Sequence, residues 1–170
     1  TRMAEGHLEK AVLFRELALS STATLDPGAL YRRLLPTAPA GYVFCIDGFV
    51  GASPELLVSR IDDTVRAQPM AGTLPRSGDP KVDMGHAGEL LRSDKLRHEH
   101  EVTILRAHDA LLGWCSYLDA QPEPQVVEAG AVLHLATLVE GRLSHPVPSV
   151  LDLVAALHPT PAVGGWPLDP

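Results

Sequence analysis

Lys10 is a titratable residue inside an apolar stretch, where a charged side chain is costly to hold. It belongs to the run LEKAVLFRELAL, residues 8–19, whose alternation predicts a strand. Apolar surroundings lower the pKa of a lysine from about 10.4, and a lysine tuned in this way can act as a general base near neutral pH. A lysine that pairs with Glu9 or Glu16, or reaches out to water, is the alternative, which the residues alone favour.

Glu55 lies in GASPELL, directly before a second apolar run. A carboxyl group that burial keeps protonated could donate a proton to a leaving group. The order Ser53, Pro54, Glu55 is also typical of a helix start, with the serine as cap and the carboxylate near the positive end of the helix dipole. The residues alone favour the helix start.

The block RHEHE, residues 97–101, contains side chains that could bind a metal. The zinc pattern HExxH is absent, because His98 and His100 are two residues apart rather than four. Glu99 could provide a carboxylate for a hard cation such as Mg²⁺, which needs only one or two carboxylates together with substrate oxygens. Helical periodicity nevertheless places Glu99 opposite the leucines of this segment and so predicts a solvated side chain.

Three further segments combine small and polar residues in ways that suit a ligand site. Gly72 and Thr73 in PMAGT could offer a backbone N–H and a hydroxyl to a carboxylate, or form only a turn. His134 lies in the predicted strand AVLHLAT, where a lone histidine is more often a hydrogen-bonded core residue than a catalyst. The segment LHPTPAVGGWP, residues 157–167, has three prolines and two glycines, which predicts rigid backbone without helix or central strand.

Composition limits the class of protein. With 170 residues, 45% hydrophobic residues and a formal net charge of −7, the chain can form one globular domain and lacks the basic character of a nucleic-acid binder. No apolar run has the length of a membrane span, and no signal peptide is visible. Cys45 and Cys115 lack CxxC spacing and are interpreted as buried free thiols in a reducing compartment. We therefore expect a cytoplasmic monomer that binds neither nucleic acid nor membrane.

The order of predicted elements indicates an α+β fold with a largely antiparallel sheet. The turn signal at Asp47-Gly48 predicts a hairpin. Leucines at helical spacing, among them Leu111 and Leu112, predict that residues 87–118 form one long helix with a buried face. The predicted strands are residues 8–19, 42–46, 49–52, 56–60, 64–67 and 126–139 with a turn at 140–141, and the other helices are residues 29–35 and 150–157. Residues 68–76 are predicted to form a loop, and residues 76–82 a polar, mobile segment.

Six segments occur in an order that resembles the chorismate-binding enzymes, and most closely their isochorismate synthase branch. They are EKAVLFRE, GASPELL, PMAGT, KLRHEHEV, LHLATLVEG and LHPTPAVGGWP, and together they span residues 9–167. SPELL and AGT are shared across the superfamily, whereas the EHE, HLAT and HPTPAVGG segments are more specific. The resemblance implies large antiparallel β-sheets flanked by helices, with residues 1–170 forming a partial chorismate-binding domain that corresponds to the middle portion of that fold.

The resemblance also implies roles for three titratable residues. Lys10 matches the general base that activates a water molecule for attack at C2 of chorismate. Glu55 matches the general acid that protonates the departing C4 hydroxyl. Glu99 matches a ligand of Mg²⁺, the cofactor that holds the ring carboxylate of the substrate.

Four residues match positions around the substrate. Gly72 and Thr73 match substrate-binding positions, and His134 matches a histidine that lines the site. Ala162 matches a position that holds threonine in the salicylate-forming and amine-using relatives. The resemblance thus implies that the rigid HPTPAVGG turn places bare backbone and a small side chain against the ring of chorismate.

The resemblance suggests three possible functions. The first is a Mg²⁺-dependent isochorismate synthase, whose product feeds siderophore or menaquinone biosynthesis. A salicylate synthase and a non-catalytic fragment of the chorismate-binding fold are the alternatives. The chain begins without methionine and ends without a closing element, so we expect a piece of a longer protein. Residues 1–170 alone are expected to bind Mg²⁺ and chorismate poorly, because the second Mg²⁺ carboxylate of the family is missing.

Overall fold

The computed structural model describes Met3, residues 5–38 and residues 41–167. The chain divides into two units. The smaller unit runs from Leu13 to Glu55. The larger unit combines the residues up to Val12 with the chain from Leu56 onward.

The smaller unit contains helix α1 (Pro27–Leu34), which begins two residues before the helix predicted over residues 29–35. Asp26 caps the helix, since its side chain accepts a hydrogen bond from the N–H of Gly28 at 2.9 Å. Proline is tolerated at the first helical position because its missing N–H would have no partner there. A short 3₁₀ turn (Leu35–Thr37) follows directly.

Strands β1 (Tyr42–Ile46) and β2 (Phe49–Ser53) pair in an antiparallel hairpin in the same unit, as predicted. Asp47 and Gly48 both have positive φ, 49° and 85°, which is the conformation of the two-residue turn that matches strand twist. Cys45 is exposed on β1, so the prediction that both cysteines are buried is wrong. A two-stranded sheet has few neighbours to cover it, and several of its side chains therefore stay in solvent.

Residues 8–19 form no strand, contrary to the prediction. Lys10 makes an isolated antiparallel bridge with Trp166, and residues 11–20 lie outside any helix or strand. Leu13 and Phe14 are 95% and 93% exposed. Apolar alternation therefore failed as a predictor here, because a strand also requires a partner backbone, and the backbone pairing seen in this run is that of Glu9 and Lys10 with Trp166.

Over its described residues, the larger unit contains seven strands, four helices and two antiparallel sheets. The strands are β3 (Leu56–Ile61), β4 (Thr64–Gln68), β5 (Met70–Pro75), β6 (Cys115–Ala120), β7 (Gln125–Ala129), β8 (Val132–Ala136) and β9 (Val139–Leu143), and the helices are α2 (Pro80–Arg92), α3 (Asp94–Leu112), α4 (Val150–Leu157) and α5 (Pro161–Gly164). The first sheet has the order β3-β4-β9-β6 and the second has the order β5-β8-β7. This arrangement confirms the predicted α+β class with antiparallel sheets flanked by helices.

The single long helix predicted over residues 87–118 is wrong at both ends and in the middle. Ser93 is extended and separates α2 from α3, and its hydroxyl accepts a hydrogen bond from the N–H of Leu96 as an N-cap. At the other end Cys115–Ala120 is strand β6, which pairs with β9. The serine cap and the available strand partner outweigh the helical spacing of the leucines.

The predicted loop, the predicted mobile segment and one predicted strand also differ from the structure. Residues 70–75 form β5 rather than a loop, and α2 begins at Pro80 within the segment predicted to be mobile. The strand predicted over residues 126–139 is the hairpin of β7 and β8, joined by Gly130 and Ala131. Gly141 lies within β9 and not in the predicted turn. A Cβ there would lie 2.5 Å from the backbone oxygen of Tyr117, so this position in the strand needs a glycine.

The main core lies where the first sheet meets α3 and α4. Leu111 is fully buried there, whereas Leu112 is 51% exposed, so the two leucines do not share the predicted buried face. A smaller cluster of Leu90, Leu133 and Leu135 joins α2 to the second sheet. The other buried members of the main core are Val65, Ala67, Ala107, Val139, Leu143, Leu153 and Leu157.

Across the described residues, every helix is too short or too polar to cross a bilayer.

We predict that Leu111→Ala lowers the free energy of unfolding by about 3 kcal/mol, through lost burial and the cavity left behind. The neighbouring Leu112→Ala is the matched control, and its change should stay below about 0.5 kcal/mol because the side chain is half in solvent. Urea unfolding followed by circular dichroism measures both. Equal losses for the two variants would contradict the placement of the core.

Candidate active site

The backbone of Lys10 is fixed by its bridge to Trp166. The N–H of Lys10 donates to the carbonyl of Trp166 at 3.1 Å, and the N–H of Trp166 donates to the carbonyl of Lys10 at 2.8 Å. The lysine side chain is half-buried, and its Nζ donates to the Oγ1 of Thr103 at 3.4 Å. Lys10 is therefore partly withdrawn from bulk solvent, although its local structure is not a strand, and its role as a base remains a prediction.

Thr103 can accept this hydrogen bond because its own proton is used elsewhere. The Thr103 hydroxyl donates to the backbone carbonyl of Glu99, one turn earlier in α3, at 3.0 Å. Thr103 is fully buried. Its oxygen thus presents a lone pair toward Lys10, in a place where water does not compete.

His100 lies one turn before Thr103 on the same helix and is 1% exposed. Its Nε2 lies 2.8 Å from the Oγ1 of Thr137, and its Nδ1 is buried without a hydrogen-bond partner among the described residues. Burial, and then the positive charge of Lys10, lower the pKa of His100 from 6.5 to about 4. His100 is therefore a neutral imidazole near pH 7. We assign its proton to Nε2, because an unpaired acceptor at Nδ1 costs less than an unpaired donor.

A second pair of polar residues lies across the β5–β8 ladder. The Oγ1 of Thr73 lies 2.9 Å from the Nδ1 of His134, and the two residues are register partners. Burial lowers the pKa of His134, and a hydrogen bond to the Gly72 backbone partly offsets this effect. The structure thus brings together three of the residues predicted to contact substrate.

Gly72 is required by the geometry of this strand. The ladder has an irregularity between Ala71 and Thr73, and Gly72 has φ 72°. A Cβ at Gly72 would lie 3.0 Å from the carbonyl oxygen of Leu96 in α3. The glycine therefore lets α3 approach the sheet closely, so PMAGT is neither the predicted loop nor only a turn.

The segment HLAT links the two groups of polar residues. His134 contacts Thr73 on β5, and Thr137, three residues later, contacts His100 on α3. The backbone of Thr137 is held in turn by the carbonyl of Pro69 at 3.3 Å. One short stretch of chain therefore sets the position of both histidines.

Glu99 lies on α3 with its carboxylate partly exposed, and one oxygen lies 3.9 Å from the Nζ of Lys95. The predicted solvated side chain is therefore correct in part. The described residues contain no group of three or more histidine, cysteine, aspartate or glutamate side chains arranged to hold a metal. Glu99 fits Mg²⁺ as a single carboxylate ligand, and water and substrate oxygens would have to supply the others.

Glu55 and Ala162 lie in different parts of the chain. Glu55 is half-buried and directly precedes β3, so the predicted helix start is wrong; its N–H donates to the Oγ of Ser53 at 3.3 Å. Glu55 belongs to the smaller unit and Lys10 to the larger one, and their predicted cooperation remains a prediction.

Ala162 is half-buried in α5, which is a single helical turn. The expectation that residues 157–167 exclude helix is wrong at this point. Pro161 occupies the first helical position, where proline is tolerated, and Thr160 precedes it as the cap residue. The contact predicted between Ala162 and the substrate ring remains a prediction.

Four residues around Lys10 and His100 were not singled out from the sequence. Thr103 and Thr137 are hydroxyl residues in otherwise ordinary helix and strand patterns, and Trp166 and Arg106 meet only in the fold, 4.2 Å apart. The signal that could have indicated Thr103 is its spacing of three residues from His100, which places two polar groups on one helix face.

We predict that His100 makes the protein less stable as the pH falls. The unfolded chain takes up a proton near pH 6.5 and the folded one only near pH 4, so the contribution of His100 is complete above pH 6.5 and declines toward pH 4. The free energy of unfolding should fall by about 2 kcal/mol more between pH 7 and pH 5 in the unsubstituted protein than in His100→Gln.

Urea unfolding at the two pH values, in buffer with a chelator, measures this difference. His98→Gln is the matched control, because His98 is an exposed histidine two residues away on α3. An identical pH dependence in the unsubstituted protein and in His100→Gln would contradict the prediction.

Comparison with known proteins identifies the family. The family model described as "Chorismate binding enzyme" matches residues 1–170. MenF of Mycobacterium tuberculosis strain H37Rv is 41% identical over 96% of this chain and 47% of its own length. The isochorismate synthase DhbC of Bacillus subtilis is 41% identical over 99% of this chain and 45% of its own length.

A solved structure agrees with these relatives. DhbC from Bacillus anthracis superposes with a TM-score of 0.91 at 41% identity and covers 98% of this chain and 47% of that one. The chain thus spans about half the length of the relatives it matches. These matches confirm the resemblance described above, and the chain belongs to the chorismate-binding enzyme family.

Proposed function

We propose that the protein is an isochorismate synthase, which converts chorismate to isochorismate by adding water at C2 and releasing the C4 hydroxyl. The observation that carries the proposal is the half-buried amine of Lys10, 3.4 Å from the buried hydroxyl of Thr103, in a chain whose relatives include isochorismate synthases. The reaction needs a base at one carbon and an acid at another, because a proton leaves the attacking water and another joins the departing hydroxyl.

Lys10 is proposed as the base. A neutral Lys10 amine removes a proton from water while the water oxygen bonds to C2, and the ring double bonds shift. Thr103 supports this role, because its oxygen accepts a hydrogen bond from Nζ and orients the amine. His100 nearby is neutral near pH 7, so it adds no positive charge beside the amine.

Glu55 is proposed as the acid that protonates the C4 oxygen, so that it leaves as water. For this role the carboxyl must be protonated when substrate is bound. Its half-buried position before β3 is compatible with such an environment.

Gly72, Thr73, His134 and Ala162 are proposed to contact chorismate. Thr73 and His134 present a hydroxyl and an imidazole that are hydrogen-bonded to each other across the β5–β8 pair, and the member of the pair that keeps a free proton can donate a hydrogen bond to an oxygen-rich substrate. Ala162 favours the synthase over a salicylate synthase, because the resemblance places threonine at this position in salicylate-forming enzymes.

Mg²⁺ is proposed as the cofactor, with Glu99 as one ligand. Bound Mg²⁺ would offset the charge of a substrate carboxylate, which matters in a chain with a net charge of −7. Three statements remain predictions from the sequence: that residues 1–170 form a partial chorismate-binding domain, that the protein is a monomer, and that it is located in the cytoplasm.

We predict that the full-length native protein converts chorismate to isochorismate in the presence of Mg²⁺, and that Lys10→Met lowers kcat at least about 100-fold by removing the base. Glu55→Gln should cause a loss of similar size. Product formation is followed by chromatography. Lys81→Met is the control, since Lys81 is an exposed lysine in α2.

Two results would reject the proposal in different ways. Salicylate and pyruvate as the sole products would establish a salicylate synthase. An absence of turnover, together with an absence of chorismate binding by calorimetry, would indicate a non-catalytic member of the family.

We predict that Glu99→Gln weakens Mg²⁺ binding at least about tenfold, because an amide oxygen replaces a carboxylate that a hard cation prefers. Titration of the full-length protein with Mg²⁺ alone by calorimetry measures the change. Glu101→Gln is the matched control, because Glu101 is an exposed glutamate two residues further along α3. Equal Mg²⁺ affinities for the two variants would remove Glu99 from the proposed ligands.

A further inference from the structure

We propose that Trp166, Gly165 and Arg106 form a clamp that positions Lys10 for its role as base. The inference rests on the proposed function, and it assigns positioning roles to three residues outside the predicted site. We call this group the Trp166 clamp. Trp166 and Gly165 lie against the backbone of Lys10, and Arg106 acts on it through the Trp166 ring.

Trp166 holds the backbone on both sides of Lys10. Its carbonyl accepts from the N–H of Glu9 at 2.9 Å and from the N–H of Lys10 at 3.1 Å, and its own N–H donates to the carbonyl of Lys10 at 2.8 Å. Residues 11–20 belong to no helix or strand. The rest of this run therefore provides no ladder that could fix the lysine, and the bridge to Trp166 takes that role.

Gly165 allows the two backbones to come this close. It has φ 78°, a conformation that side chains disfavour. A Cβ at this position would lie 2.6 Å from the carbonyl oxygen of Lys10, which is closer than any real Cβ contact. The absence of a side chain at Gly165 in the GGW segment thus makes room for the carbonyl group of Lys10.

Arg106 ties the clamp to α3. Its guanidinium lies 4.2 Å from the centre of the Trp166 ring, a favourable cation–π distance. One Arg106 nitrogen also donates to Asp109 at 3.3 Å, and this carboxylate is on the same helix. The guanidinium is therefore anchored on α3 while its face is available to the indole.

Lys10 is therefore connected to α3 at two points. Its Nζ contacts Thr103 directly, and its backbone is tied through Trp166 to Arg106, which lies three residues after Thr103 on the helix. Two anchors one helical turn apart fix both the position and the direction of the lysine side chain. A base that must meet a water molecule at one carbon of the substrate requires this precision.

The test compares Arg106→Met and Trp166→Leu with the conservative variants Arg106→Lys and Trp166→Phe in the full-length protein. Arg106→Met keeps the aliphatic stem and removes the charge, and Trp166→Leu removes the ring. We expect kcat to fall about 10- to 100-fold with KM for chorismate nearly unchanged, because the base is misplaced while the substrate contacts remain. Trp166→Phe and Arg106→Lys should recover part of the loss. Arg92→Met and Trp114→Leu are the matched controls outside the clamp.

Hydrogen exchange tests the clamp without relying on activity. The amides of Glu9, Lys10 and Trp166 should exchange about tenfold faster in Arg106→Met and Trp166→Leu, while amides of the core strand β9 stay unchanged. Unchanged exchange at all three amides would overturn the clamp itself. Faster exchange with unchanged kcat would overturn its role in positioning the base. If the unsubstituted protein does not turn over chorismate, the proposed function fails, and the exchange rates still decide whether the clamp exists.

Discussion

Helix α3 buries a polar face, and the hydrogen bonds that this face needs determine how the rest of the site is arranged. His100 and Thr103 lie one turn apart in the interior, where an unpaired polar group costs about 1–3 kcal/mol. His100 takes its partner, Thr137, from elsewhere in the chain, and Thr103, whose hydroxyl donates to the carbonyl of Glu99, accepts a hydrogen bond from Lys10. Because these partners are far apart in sequence, satisfying one helix face brings the start of the chain, the segment after β8 and α3 to one place.

Close backbone contacts make this arrangement possible. Gly72 lets the carbonyl of Leu96 come near the second sheet, and Gly165 lets the carbonyl of Lys10 come near the GGW segment. Both glycines have positive φ, so both the conformation and the missing side chain are used. The same α3 thus meets the sheet on one side and, through Arg106 and Trp166, the strand-like bridge of Lys10 on another. These contacts leave His100 buried and neutral, with the amine of Lys10 nearby. The site thus has one basic group beside a neutral one, and acid–base chemistry needs groups that differ in this way.

Local signals predicted the elements that local chemistry controls. The Asp-Gly turn between β1 and β2 was correct because its two residues adopt positive φ readily, and α1 and α4 were correct because each begins at a capping residue. The prediction failed where a partner decides. Residues 8–19 alternate like a strand but find no ladder, residues 70–75 look like a loop but pair with β8, and residues 115–120 continue a helical pattern but pair with β9. Among the site residues, titratable types in apolar surroundings could be recognised, whereas the hydroxyls and the tryptophan that orient them could not.

The sequence by itself determined the family and the candidate residues Lys10, Glu99 and His134, because six segments have the residue types of the family and occur in the same order as in the family. It also determined the α+β class, through the order of the predicted helices and strands. Only the tertiary structure decided that Lys10 is held by a bridge to Trp166, that Thr103 receives its amine, and that His100 is buried as a neutral imidazole. Hydrogen-bond partners and desolvation arise between segments that are distant in the sequence, for instance 93 residues between Lys10 and Thr103. Patterns read along a sequence report neighbours within a few residues, and the energy of a buried polar contact depends on what the fold places opposite.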